Sequence, residues 1–137
     1  MSKLFFDTAP FIYLVENHPD FYRPVAGYLT QVVGGGAVLV TSVLTYTEFC
    51  VKPEQLGRPD VILDFDALLR DLDIQVLDIP LAVATLAYKL RAKYSFLKGM
   101  DSLQVASALH AGCSQFLTND KKLKSVLEIQ VVVVADL

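Results

Sequence analysis

The sequence predicts an α/β protein, a three-layer α/β/α sandwich around a central, mostly parallel five-stranded sheet, on three observations. Short apolar runs alternate with longer segments of helical spacing. Those runs are nearly continuous rather than alternating, as in strands covered on both faces. At 137 residues and 53% hydrophobic composition, the chain can build one sizeable core but is short for two.

Each element follows in order. Lys3–Phe6 is a brief apolar strand, and residues 10–16 read as a short helix. Residues 21–33 have helical spacing, with Pro24 tolerated in the first turn and Gly34, Gly35 and Gly36 as a stop. Residues 37–41 (AVLVT) form a second strand. A short helix is expected over 45–51, ending before Pro53 because the residue preceding a proline is pushed out of the helical region. From Pro59 a helix runs to about Leu72, with Ile62, Leu63, Phe65, Leu68 and Leu69 at helical spacing and Asp64, Asp66 and Arg70 outward. Residues 74–79 are a third strand. The helix over 80–94 places Leu81, Ala84, Ala87, Tyr88 and Arg91 along one side. A last helix covers 101–110, closed by Gly112, and strands follow at Gln115–Thr118 and 129–134. No linker or repeat interrupts this order, so residues 1–137 read as a single domain.

Composition excludes several classes. Lys plus Arg number 12 against 15 for Asp plus Glu, a net charge of −3, which disfavours nucleic-acid binding by bulk positive charge but not by a local patch. Charged residues at 20% beside this apolar content argue against disorder. The two cysteines, Cys50 and Cys113, rule out a disulfide scaffold and suit a reducing cytoplasm. There is no CxxC pair, and His18 lies far from His110, so a zinc site is not expected. The opening MSKLFFDTAPF meets an acid too soon for a secretory signal. No run approaches the roughly 18 apolar residues of a membrane span.

Ligands of open α/β sheets bind beyond the carboxyl ends of the strands. Four acids fall there. Asp7 follows the first strand, Glu48 lies in the helix after the second, Asp101 opens the helix before the fourth, and Asp120 follows the fourth. Singly, each has an ordinary structural reading. Asp7 and Asp101 suit helix N-caps, Thr45-x-x-Glu48 has capping-box spacing, and Asp120 suits a turn or a cap. Jointly, the alternation brings them to one edge, where converging carboxylates repel unless a cation intervenes. Oxygen ligands without His or Cys point to Mg²⁺ or Mn²⁺. Such an ion can activate water and stabilise charge developing on a phosphate.

In these residues the chain resembles the PIN-domain family, and particularly VapC-like toxin ribonucleases of toxin–antitoxin pairs. The likeness runs nearly end to end. It opens with FFDTAPFIYLVE, where Asp7 fits the first acid and Thr8 its hydroxyl neighbour. Thr45-Tyr46-Thr47-Glu48 fits the second acid, and KGMDSLQVASALHAGCSQFLTNDKKL supplies Asp101 as the third and Thr118-Asn119-Asp120 as the terminal element. Ser102 departs from the family's usual alanine after the third acid. The resemblance implies a Mg²⁺- or Mn²⁺-dependent endoribonuclease, a frequent homodimer and a cognate antitoxin. On this reading Asp7, Asp101 and Asp120 hold one or two ions, and Glu48 ligates a second or orients water. Thr8, Thr118 and Asn119 orient the carboxylates. Cleavage is expected to leave 5′-phosphate and 3′-hydroxyl ends.

Charge distribution is an independent observation. Between positions 89 and 124 lie seven bases, Lys89, Arg91, Lys93, Lys98, Lys121, Lys122 and Lys124, and only two acids, Asp101 and Asp120. That segment suits a polyanion such as RNA, although Lys and Arg near helix ends also arise for solvation and dipole reasons. Lys98 and Lys121 flank the expected ligands and are the candidate phosphate contacts. Tyr13, Phe21, Tyr22 and Tyr28 are read as core or interface residues before base-stacking ones. His18, His110 and both cysteines are assigned no catalytic role.

Two other function classes are weighed. An acidic-site phosphatase of the haloacid dehalogenase type needs an Asp-x-Asp that Asp7-Thr8-Ala9 lacks, and a phosphorylatable receiver needs an acidic pair absent after Phe6. A catalytically silent RNA- or protein-binding module would not need all four acids. The helix over 80–94 is a candidate for burial in a dimer or partner.

Overall fold

Hydrophobic patterning divides the molecule into layers. The computed structural model describes residues 2–137. Its five strands are β1 (Lys3–Phe6), β2 (Val38–Ser42), β3 (Gln75–Leu77), β4 (Gln115–Thr118) and β5 (Gln130–Val133). They form one sheet in the order β3-β2-β1-β4-β5. Every pairing is parallel, so the expected mostly parallel sheet is wholly parallel. Six helices cover it: α1 (Thr8–Val15), α2 (Tyr22–Gly34), α3 (Val43–Gln55), α4 (Pro59–Asp71), α5 (Leu81–Lys93) and α6 (Gly99–His110).

Strand alternation splits the apolar residues of β1 between two cores. Leu4 and Phe6 join Phe11, Val25, Leu29, Phe49, Phe65 and Leu69 beneath α1–α4. Phe5 instead joins Val83, Ala87, Leu90, Val105 and Ala108 of α5 and α6 on the other face. This is the expected α/β/α sandwich, with the central strands buried on both sides.

Two local expectations are corrected, and the covered side of α5 is added. Helix α3 starts at Val43 and runs through Pro53 to Gln55, rather than covering 45–51. Its start is set by Ser42, the last residue of β2, whose hydroxyl accepts from the Leu44 N–H at 3.2 Å. Pro53 falls in the last turn, where one lost N–H matters little, and it is buried one turn beyond Phe49. The true cap leaves Thr45-x-x-Glu48 inside the helix, so it is not a capping box. Helix α6 begins at Gly99, so Asp101 lies in its first turn rather than at its cap. In α5 the buried side is Val83, Ala87 and Leu90, whereas Leu81 and Tyr88 are 83% and 62% exposed.

Candidate active site

Chain topology puts a crevice beside Asp7. From β1 the chain crosses outward to β2 and β3, then returns to pair β4 on the opposite side of β1. The switch in direction falls between β1 and β4, where an open α/β sheet leaves a cleft at its carboxyl edge. Asp7 is the first residue past β1, and Thr118 ends β4 with Asp120 two residues on.

Asp7 is held on both oxygens. Its own N–H donates to the Leu117 carbonyl at 2.9 Å, extending the β1–β4 pairing. Its carboxylate accepts from the Thr8 N–H at 2.9 Å, capping α1, and from Thr118 Oγ1 at 2.8 Å. The Thr118 hydroxyl in turn accepts from the Asp120 N–H at 3.1 Å. Asp120 caps a 3-10 helix (Lys121–Ser125) by accepting from the Lys122 N–H at 3.1 Å. Across the crevice, Glu48 accepts from Thr8 Oγ1 at 3.3 Å. The capping reading is thus correct for Asp7 and Asp120, and a capped carboxylate retains further lone pairs for an ion.

The acids feel one another. Burial pushes Asp7 above its ordinary value, against the hydrogen bonds from Thr118 and Thr8, and the charge of Asp120 pushes it the same way. Glu48 is raised by burial, then by the charges of Asp7 and Asp101. Asp101 is raised by burial, then by Asp7 and Asp120, against Lys98 and Lys122. All four carboxylates therefore belong to one electrostatic cluster around Asp7. No group of three or more His, Cys, Asp or Glu side chains among the described residues forms a ready-made metal cage. The donor chemistry nonetheless fits a hard divalent cation: carboxylate oxygens alone, mutually repelling.

The remaining expected residues separate by position. Thr8 and Thr118 touch the acids directly. Asn119 does not: its Nδ2 donates to Tyr13 Oη at 2.8 Å, and its Oδ1 accepts from the Ala135 N–H at 3.1 Å. It joins the end of β4 to α1 and to the C-terminal segment. The charge of Lys98 acts to lower Asp101, and that of Lys121 acts to lower Asp136. Lys122, not singled out by the sequence, acts on Asp101. Lys93 and Lys124 are engaged in ion pairs with Glu128 and Asp136. A buried trio of Ser42, Thr45 and Gln104 behind the acids was also missed. Its signal was Gln104 alone, one polar amide inside an apolar helical stretch.

A protein-family model, the PIN domain, matches residues 4–128. No curated protein sequence matches the chain significantly. Among solved structures, VapBC2 from Rickettsia felis, bound to a DNA fragment from its promoter, superimposes with a TM-score of 0.79 at 15% identity, covering 96% of this chain and 98% of that one. FitAcB from Neisseria gonorrhoeae gives 0.74 at 16% identity, covering 98% and 99%. Mycobacterium tuberculosis VapC20, described as a Sarcin-Ricin loop cleaving toxin, gives 0.62 at 11% identity, covering 82% and 86%. At these identities the likeness is one of fold.

Proposed function

The chain belongs to the PIN domain family, and we propose that it is a divalent-metal-dependent endoribonuclease, the toxin of a toxin–antitoxin pair. The observation that carries this reading is the cluster of Asp7, Glu48, Asp101 and Asp120 at the β1–β4 crevice. Family membership sets aside the phosphatase and receiver readings. The antitoxin is inferred from the VapBC complexes among the structural neighbours.

Asp7, Asp101 and Asp120 would hold one or two Mg²⁺ or Mn²⁺ ions, and Glu48 would ligate a second or orient water. When bound, the ion stabilises charge on the scissile phosphate and eases deprotonation of the attacking water. The chain's own groups supply the rest. Thr118 and the Thr8 N–H fix the rotation of Asp7, so its free lone pairs keep one direction. Glu48 is steadied by the Thr8 hydroxyl, which holds its carboxylate at the crevice where it would orient the attacking water. Lys98 and Lys121, joined by Lys122, contact flanking phosphates. Products carry 5′-phosphate and 3′-hydroxyl ends.

The test is cleavage of a mixed single-stranded RNA pool with Mn²⁺, Mg²⁺ or EDTA, alongside Asp7→Asn and Asp101→Asn. The proposal expects metal-dependent cleavage, reduced more than about 100-fold in both variants. Metal-independent cleavage, or cleavage retained by both variants, would overturn it. A folded protein that neither binds metal nor cuts RNA would favour the silent binding module.

A further inference from the structure

Gln104 is 1% exposed in the middle of α6, beside the wholly buried Val105 and Ala106. A buried amide is costly unless its donors and acceptor are satisfied, and an aliphatic side chain would fill the same space without that demand. Here the demand is met by two other fully buried polar residues. The Ser42 hydroxyl donates to Gln104 Oε1, and Gln104 Nε2 donates to Thr45 Oγ1 at 2.5 Å. Ser42 Oγ already accepts from the Leu44 N–H at 3.2 Å, which favours its hydroxyl as a donor and so assigns Oε1 to it.

The location of this trio is what gives it meaning. Ser42 ends β2 and caps α3, and Thr45 lies on α3 three residues before Glu48. Gln104 lies three residues after Asp101, on the same side of α6. The amide therefore ties the start of α3, which carries Glu48, to the middle of α6, which carries Asp101. Gln104 also stabilises the charged form of Asp7, the acid on the third element of the site.

We propose that Gln104 is a positioning residue, whose buried amide sets the spacing and orientation of the Glu48 and Asp101 helices and thereby the grip of the carboxylates on a divalent ion. The inference rests on the metal-dependent reading above. Gln104 itself touches neither substrate nor ion; it acts through α3 and α6 and through Asp7, whose charged form it stabilises.

The experiment compares wild type, Gln104→Met, Thr45→Val and the Gln104→Met/Thr45→Val double variant. Two quantities are read without RNA: the urea midpoint of the metal-free protein, and Mn²⁺ affinity by calorimetry. Gln104→Met leaves Thr45 without its partner and should lower the midpoint. The double variant removes the Thr45 hydroxyl as well, leaving only the Ser42 hydroxyl without its acceptor, and should recover part of it. Mn²⁺ affinity should fall about 10- to 100-fold in Gln104→Met and stay low in the double variant. Thr45→Val, which keeps the Ser42 link, should lie between these and wild type. Mn²⁺ affinity that returns to the wild-type value in the double variant, or never changes, would overturn the proposal and leave Gln104 a stability residue. A folded wild type that binds no Mn²⁺ would overturn the metal-dependent reading itself.

Discussion

At the scale of single residues, the site sets function against stability. Burial and neighbouring charge hold Asp7, Glu48 and Asp101 above their ordinary values of 3.8 for Asp and 4.5 for Glu. A carboxyl with a higher pKa folded than unfolded binds its proton more tightly in the native state. Its stabilising contribution is complete below the unfolded value and is lost as pH rises through the raised native one. In EDTA, removing such a charge should therefore stabilise the protein at neutral pH and do little in acid. Asp7→Asn is expected to melt above wild type at roughly pH 7.5, with the difference shrinking toward about pH 4. Melting curves across this range check it, and a difference that does not depend on pH would contradict it. The comparison with wild type cancels exposed Asp60, Glu128 and Asp136, whose lowered values act in the opposite direction. The four acids were legible in the sequence because each follows a strand or sits in a helix at the predicted edge. Gln104 was not, since periodicity registers only that it lies on a buried face.

At the scale of elements, Phe65 joins three of the four helices on its side of the sheet. Its ring stacks 3.9 Å from Phe49 of α3 and meets Phe11 of α1 edge-on at 5.1 Å between centroids. Since α1 carries Thr8 and α3 carries Glu48, this aromatic cluster supports the site from behind. Phe65→Ala should cost about 3–5 kcal/mol of folding stability by urea titration. Leu63→Ala, on the exposed face of the same helix, should change it by less than about 0.5 kcal/mol. Equal losses in the two variants would contradict this packing. Helix α4 was readable because Phe65 and Leu69 fall one turn apart. In α5 apolar residues surround the helix, so spacing alone could not say that Val83, Ala87 and Leu90 are the ones covered. The start of α3 was missed because Ser42 serves two elements at once, ending β2 and capping the helix without an intervening loop.

At the scale of the whole molecule, no helix among the described residues is long and apolar enough to cross a membrane. Leu81 and Tyr88 nevertheless remain exposed on α5, two turns apart on one side. The helix over 80–94 is expected to be buried in a dimer or partner, and we infer that this side meets a second copy of the chain. Light scattering should find a dimer for wild type and a monomer for Leu81→Asp/Tyr88→Asp, with the fold retained. A monomeric wild type, or a double variant that stays dimeric, would contradict it. The parallel sheet was legible because strands buried on both faces leave continuous apolar runs. Its strand order was not, because the return from β3 to β4 depends on long-range pairing that no local run encodes.

The central claim is that the carboxylates at the β1–β4 crevice are the ion site. The most direct measurement is an anomalous difference map from crystals of the protein grown with Mn²⁺. A peak is expected within ligand distance, about 2.0–2.6 Å, of Asp7 together with Asp101 or Asp120. That peak should disappear in Asp7→Asn crystals. A map with no manganese at these carboxylates, from a protein that cleaves RNA in the same solution, would contradict it.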